Sequence, residues 1–304
     1  MIREVIEQAK RHLASAGIDD ARQEAWLLLA HIRRQDRATL LAHALDDLGQ
    51  DDWRGFQQLV ERRAAREPLA QIVGRKEFWS LDFRVTSDVL CPRPDSETLI
   101  EAALAEIRRR SKANDWVGHI LDLGTGSGCL LLSLLSEMPG ASGVGVDVSM
   151  QALSIARSNS QALCLADRAA WLCGDWGTAL DGRFDVIISN PPYIAADEVR
   201  RLASEIRRFE PETALIGGED GLDAYRSLGH DLSRLLAPNG LVFLEIGAGQ
   251  AEAVERLLAA SGFRTIDRRR DFAGIDRCLI AQLAEITASG DTPGADTSLA
   301  RNRS

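Results

Sequence analysis

Between Val186 and Ala196 the chain reads VIISNPPYIAA. An apolar run of strand type, Val186 to Ile188, gives way to an amide, two prolines and a phenol. Prolines end strands, so the pair could be punctuation alone. Flanked by Asn190 and Tyr193, it could also wall a small pocket. Proline fixes its own φ and restrains the residue before it, which holds Asn190 and Pro191 extended. Pro191 has no N–H and offers only its carbonyl. The Asn190 side-chain oxygen and the Pro191 carbonyl then form two fixed acceptors, a match for the two hydrogens of an –NH2 group. Amide and aniline-like nitrogens are poor nucleophiles because their lone pair is delocalised. Holding both N–H bonds would aim that lone pair and favour positive charge developing on nitrogen. Positioning of this kind is worth up to about 7–11 kcal/mol of barrier. Tyr193 would pack on the flat acceptor group, and no general base is required before attack. Asn190, Pro191, Pro192 and Tyr193 are therefore the candidate catalytic residues.

A second group of residues suits a nucleoside-bearing ligand. In LDLGTGSG, the glycines Gly124, Gly126 and Gly128 separate a strand from a helix. Glycine permits the tight turn and close ligand approach, and the helix N-terminus offers free N–H groups. The next strand ends in Asp147, 23 residues after Gly124, where an acid can accept hydrogen bonds from ribose hydroxyls. The dinucleotide fingerprint requires G-x-G-x-x-G, and here the third glycine arrives one residue early. Asp122, beside the turn, suits a cationic ligand better than a pyrophosphate. S-adenosylmethionine, with its sulfonium and ammonium, fits that pattern. Gly124, Thr125, Gly126, Ser127, Gly128, Asp147, Trp176 and Asn190 form the expected cofactor set. Asp175 could reach an adenine amino group and Trp176 cover its face, although Trp176 could equally be a core aromatic.

The elements that must position these residues are legible in outline. Residues 1–74 read as helices, with Ile2, Val5, Ile6, Ala9 and Leu13 at three- and four-residue spacing. Residues 75–95 alternate large apolar and polar side chains through EFWSLDFRVTSDVL, which predicts a hairpin and linker. From 96 to 285, strand and helix patterns alternate, predicting an α/β domain with a largely parallel sheet covered on both faces. The helix around AYRSLGHDLSRLLAPNG is expected to close on a turn. Residues 286–304 lack apolar periodicity and read as a disordered tail.

Composition narrows the class. The chain has 304 residues, 45% hydrophobic and 27% charged, as in soluble globular proteins. The N-terminus mixes acids and bases among its apolar residues, unlike a signal peptide or anchor. No stretch reaches about 18 uninterrupted apolar residues, so a cytoplasmic protein without membrane contact is expected. Five scattered cysteines without a C-x-x-C pair point to reduced thiols. No His/Cys cluster suggests a metal. Cys129 and Cys173 read as small buried hydrophobes beside the cofactor loop. A net charge of −9 argues against unaided nucleic-acid binding. The arginine runs EIRRR and DRRRD read as solvated element ends.

Several blocks together resemble a known family. NPPY after a class I methyltransferase sheet is shared by adenine and cytosine amino methyltransferases, some guanine-N2 enzymes and protein glutamine N5-methyltransferases. The blocks EPLAQIVGRKEFWSLDFRVTSDVLCPRPDSETLIE, FEPETALIGGEDGLDAYRSL and DFAGIDRCLIA resemble the glutamine enzymes, in particular the release factor glutamine methyltransferase (PrmC/HemK) family. The resemblance spans about residues 20 to 283. It implies a class I S-adenosylmethionine-dependent fold, Rossmann-like, with a mostly parallel seven-stranded sheet and a small N-terminal helical domain. It implies cofactor contacts at Gly124 to Gly128, Asp147, Trp176 and Asn190, with the acceptor glutamine at Asn190 to Tyr193. It also implies class 1 peptide chain release factors as partner, docked with help from the N-terminal helices. A ribosomal-protein glutamine methyltransferase is the near alternative. A nucleic-acid amino methyltransferase is the more distant one, and NPPY has no role in a nicotinamide oxidoreductase. The chain departs from the family pattern at Gln71 (usually Tyr), at Cys91 (often Ile) and in PDSE (commonly PETE). Arg93 and Glu210 remain open between ordering a loop and a purely structural role.

Overall fold

A computed structural model describes residues 1–110 and 116–284; the tail expected at 286–304 lies outside the described residues. Helices α1 (Ile2–Ser15), α2 (Ala21–Arg33), α3 (Arg37–Ala42), α4 (Gln50–Ala64) and α5 (Leu69–Val73) open the chain. The spacing read in α1 becomes one buried face of Ile2, Ile6, Ala9 and Leu13. That face packs with Trp26, Leu29, Phe56 and Val60 in an apolar cluster separate from those of the sheet. α3 and α5 are too short for periodicity to announce them. A local cap starts α3, where Asp36 accepts the Thr39 N–H at 2.8 Å.

Strands β1 (Arg75–Phe78) and β2 (Leu81–Arg84) form the expected antiparallel hairpin. Its turn residues Trp79 and Ser80 both have positive φ, 52° and 57°, the geometry that matches strand twist. Without glycine there, carboxylates hold the turn: Glu97 accepts the Trp79 N–H at 2.8 Å and Glu77 the Ser80 N–H at 2.7 Å. Phe78 and Phe83 pack edge to face at 6.2 Å and join the sheet's core.

The remaining chain alternates α6 (Glu97–Arg110), β3 (His119–Leu123), α7 (Cys129–Glu137), β4 (Ser142–Asp147), α8 (Met150–Ala162), β5 (Ala169–Cys173) and β6 (Phe184–Ser189). It continues through α9 (Ser204–Phe209), α10 (Asp223–Leu235), β7 (Leu236–Glu245), α11 (Ala251–Ala260), β8 (Phe263–Arg270) and β9 (Asp276–Leu283). The seven strands lie in the order β5-β4-β3-β6-β7-β9-β8. Only β9, antiparallel to both β7 and β8, runs against the others. Strand alternation sends Val186 and Ile188 to one face, against α6 and α7. Ile187 goes to the other face, against α10 and α11.

One local expectation changes. Leu236 pairs with Phe184 and Leu241 with Val186. Ala237 to Gly240 therefore bulge out of β7, with Asn239 at φ 65°. The turn signal lies inside a strand rather than after a helix, because pairing resumes on both sides of it.

The chain steps outward from β3 to β4 and β5, then returns to β6 on the other side of β3. A reversal of this kind opens a crevice at the C-terminal strand ends. Leu123 pairs with Ser189 there, which brings the glycine turn and Asn190 to the same place.

Candidate functional site

The glycine turn is tied to the strand beside it. The N–H groups of Gly124 and Thr125 both donate to the Val146 carbonyl at 2.9 Å. Gly126 N–H donates to Asp147 Oδ2 at 2.8 Å, and Ser149 N–H to Asp147 Oδ1 at 2.9 Å. Gly126 has φ 52°, and a side chain built there would meet no atom within 4 Å, so its backbone lies open to the cleft. Trp176, itself at φ 49°, lays its ring 3.4 Å from where a Gly124 Cβ would sit.

Of the residues expected around a cofactor, Gly124, Gly126, Asp147, Trp176 and Asn190 line one cleft. Thr125, Ser127 and Gly128 shape the loop from beneath. Thr125 is buried and donates its hydroxyl to Asp122 at 2.6 Å. Ser127 is buried, and its carbonyl accepts from Asn159 at 2.9 Å. Gly128 caps α7 and backs onto Trp171, 2.8 Å from a built Cβ. Asp122 does not face the cleft: it is fully buried under the turn, with Oδ1 unpartnered among the described residues. Burial pushes its carboxyl up to about 7, against the Thr125 hydrogen bond. Asp147, with Asp88 and Asp175, lines the cleft, and Asp122 does not.

Sequence reasoning missed other walls of this cleft, notably Asp88 to Leu90 and the pair Thr213 and Ala214. Their types and spacing signal nothing; they lie within the blocks VTSDVLCPRP and FEPETAL that carry the family resemblance.

A second, smaller cleft adjoins the first. Leu90, Asn190 and Ala214 line both, so Asn190 stands at the junction. Tyr193, Ile194, Ile206, Leu215 and Arg93 complete the smaller one. Asn190 Nδ2 donates to Ser96 Oγ at 3.2 Å, which leaves Oδ1 for the junction. Pro191 is buried, and among the described residues no donor takes its carbonyl. Pro192 lines the larger cleft. The Tyr193 carbonyl accepts from Gln250 Nε2 at 2.9 Å. It also lies 2.4 Å from a Cβ built on Gly221, at φ 75°, so the segment GGEDG requires glycine there. The Tyr193 hydroxyl donates to Glu245 Oε1 at 3.2 Å; burial, then the Glu245 charge, raise the phenol.

Arg93, on the wall of the smaller cleft, pairs with Glu210. Arg93 Nη2 donates to both Glu210 oxygens, at 2.6 and 2.7 Å. Glu210 is buried, which raises its carboxyl, while Arg93 opposes the rise. The helical unit reaches this wall through α9. Gln71 Nε2 donates to the Phe209 carbonyl at 2.9 Å, and Arg66 pairs with Glu205 at 2.9 Å.

Cys129 is part-exposed, and Cys173 is exposed rather than buried. Cys173 is the last residue of β5; Ala169 and Trp171, on the same face earlier in the strand, do pack on the core. The two arginine runs are engaged in ion pairs: Arg109 with Glu106, Arg108 with Glu137, Arg268 with Glu252 and Glu255, Arg270 with Asp276. Among the described residues no helix is long and apolar enough to cross a membrane.

Comparison with known proteins accords with this geometry. Residues 4–74 match the model of the PrmC N-terminal domain, and residues 104–210 that of the methyltransferase small domain. The chain is 45% identical over 280 residues to the release factor glutamine methyltransferase of Cereibacter sphaeroides, covering 92% of this chain and 98% of that protein. It is 41% identical over 286 residues to the release factor glutamine methyltransferase of Moorella thermoacetica, covering 93% and 99%. The crystal structure of the hMettl16 catalytic domain in complex with MAT2A 3′UTR hairpin 6 matches with a TM-score of 0.53 at 16% identity. It covers 75% of this chain and 83% of that one, a likeness of fold alone.

Proposed function

The chain belongs to the release factor glutamine methyltransferase family, and on that premise we propose that it methylates the side-chain nitrogen of the Gly-Gly-Gln glutamine in class 1 peptide chain release factors, modulating termination in the cytoplasm. The residues of the larger cleft fit S-adenosylmethionine. Gly126 presents an open backbone, Asp147 offers carboxylate oxygens with lone pairs to spare, and the Trp176 ring lies beside Gly124. When bound, that cofactor supplies an electrophilic methyl group.

The chain's own residues do the rest. Asn190 Oδ1 and the Pro191 carbonyl take the two N–H bonds of the acceptor amide and turn its lone pair toward the larger cleft. As the nitrogen becomes cationic, these two dipoles stabilise the charge. Pro192 keeps the backbone extended, and Tyr193 packs on the flat amide. The proton leaves after transfer, so no strong base need stand at Asn190. The observation that carries this reading is the position of Asn190 at the junction of two clefts, with its amide nitrogen already committed to Ser96.

By the same reading, residues 1–74 form the docking domain for the release factor, 75–95 the linking hairpin and 96–285 the catalytic domain. The ion pairs of both arginine runs favour a protein partner over nucleic acid.

The test is methyl transfer from labelled S-adenosylmethionine to a purified release factor, with peptide mapping and a Gln→Asn substrate as control. Label on the Gly-Gly-Gln glutamine, absent from the control, supports the assignment. Label on a ribosomal protein or on nucleic acid instead keeps the chemistry and overturns the substrate.

A further inference from the structure

Behind the acceptor residues lies a carboxylate that the transfer chemistry does not use. Glu245, at the end of β7, is 1% exposed. Its Oε1 accepts from the Tyr193 hydroxyl, while Oε2 is buried without a formed hydrogen bond among the described residues. The cation nearest in chemistry, Arg277, is spent on Asp271 at 3.0 Å and Asp95 at 3.6 Å. A buried carboxylate with so little compensation is costly to fold around. It therefore marks a place where stability is given up for another purpose.

The hydrogen bonds around it run in one direction. Asn190 Nδ2 donates to Ser96 Oγ at 3.2 Å. Ser96 is buried beside the Glu245 carboxyl, whose Oε2, with no formed hydrogen bond among the described residues, can take the Ser96 proton. Tyr193 donates to the same carboxyl from the other side. An ionised carboxylate accepts only. Ser96 must then spend its proton on Glu245 and can only accept from Asn190. Asn190 must turn its NH2 inward and its oxygen outward.

We propose that Glu245 is a positioning residue for methyl transfer: through Ser96 it fixes the orientation of the Asn190 amide, and directly it seats the Tyr193 hydroxyl. The inference rests on the methyl-transfer reading of Asn190. If position 245 could donate, Ser96 could turn its proton to Asn190 Oδ1. Asn190 would then flip and present N–H groups to the N–H groups of the acceptor.

Several groups face Glu245. They are Tyr193 after β6, Tyr225 of α10, whose hydroxyl donates to the Glu245 carbonyl at 2.8 Å, Cys129 of α7, Arg277 and Cys278 of β9, and Asp95 before α6. Burial raises the tyrosines and cysteines, which stay neutral near pH 7. Burial also lifts Glu245 to about 7, opposed by Ser96, Arg277 and Tyr193. Protonation would give it a donor, so the rate should fall on the acid side of about pH 7. Asp122, also held near 7, is common to wild type and variant, so the difference between their profiles isolates Glu245.

The experiment compares wild type, Glu245→Gln, Ser96→Ala and Ser96→Thr in kcat, KM, cofactor Kd and pH profile. Glu245→Gln should lower kcat roughly 10- to 100-fold with cofactor Kd within about threefold, and should lose the acid limb. Ser96→Ala should lose a similar amount, and Ser96→Thr, which keeps the hydroxyl, should recover to within about threefold of wild type. A kcat for Glu245→Gln within about twofold of wild type with the acid limb intact overturns the proposal, as does a Ser96→Thr no better than Ser96→Ala. A second readout needs no acceptor protein: hydrogen exchange of the Asn190 side-chain amide, followed by nitrogen NMR in cofactor-loaded enzyme. Exchange at least about tenfold faster in Ser96→Ala and Glu245→Gln supports the relay, and unchanged exchange refutes it. A wild type that leaves the release factor unlabelled sinks the substrate reading alone, and amide exchange still decides this one.

Discussion

The two clefts that meet at Asn190 are built in opposite ways. The walls of the larger come chiefly from consecutive strand ends of one sheet: Gly124 and Gly126 after β3, Asp147 at the end of β4, Trp176 after β5. Backbone hydrogen bonds between adjacent strand ends set them, as from the Gly124 and Thr125 N–H groups to the Val146 carbonyl. The smaller is assembled from Leu90, Arg93, Tyr193, Ile206 and Leu215. Its parts are drawn from three distant stretches and held by side chains, through Arg93 to Glu210 and Gln71 to Phe209. A nucleoside-bearing cofactor can be met by the intrinsic geometry of an α/β sheet. A particular protein loop must be met by contacts specific to this chain.

This contrast can be broken at graded points. Asn190, shared by both clefts, should give the largest effect: Asn190→Ala should cut methyl transfer about 10²–10³-fold while cofactor Kd, by calorimetry, moves little. Equal loss of both would place Asn190 on the cofactor side alone. Arg93→Ala leaves the buried Glu210 unpaired. Because Arg93 is 37% exposed, solvent screens the pair, and we expect an increase of about tenfold or somewhat more in KM for the release factor, with cofactor affinity unchanged. Asp147→Ala should do the reverse, weakening the cofactor roughly tenfold while KM for the protein holds. Arg66→Ala, breaking the part-exposed pair with Glu205, should raise that KM only about two- to fivefold.

The smallest effect is on stability. The folded chain holds a proton on Asp122 up to about pH 7, whereas the unfolded chain releases it near an ordinary carboxylate pKa of about 4. Stability from this group is therefore full below that lower value and is lost as pH rises through about 7. In thermal melts, Asp122→Asn should lose less stability than wild type between about pH 5 and pH 8. Glu245 keeps part of the slope in both.

Much of the larger cleft was legible because its signals are local. Glycines at a strand-to-helix turn and an acid at the next strand end act over a few residues. Even so, Thr125, Ser127 and Gly128 proved to support the turn from beneath, because a run of five residues cannot all face one side of a tight loop. The acid beside the turn was legible as a residue but not in its direction. Strand alternation buries Asp122 beneath α7, while Asp147, at the end of its strand, is free to face the cleft.

The sequence by itself determined the helical opening, the hairpin, the alternation that makes a parallel sheet, and the proline-fixed backbone of NPPY. Each rests on periodicity or on the fixed geometry of proline, and neither depends on distant neighbours. Only the tertiary structure decided which way Asn190 turns, that Arg93 and Glu210 are one pair, that Gln71 binds the Phe209 carbonyl, and that Ser96 and Glu245 stand behind the acceptor residues. These are contacts between residues tens to more than a hundred positions apart. A side chain's partner at such separation is set by packing, which periodicity and composition do not encode.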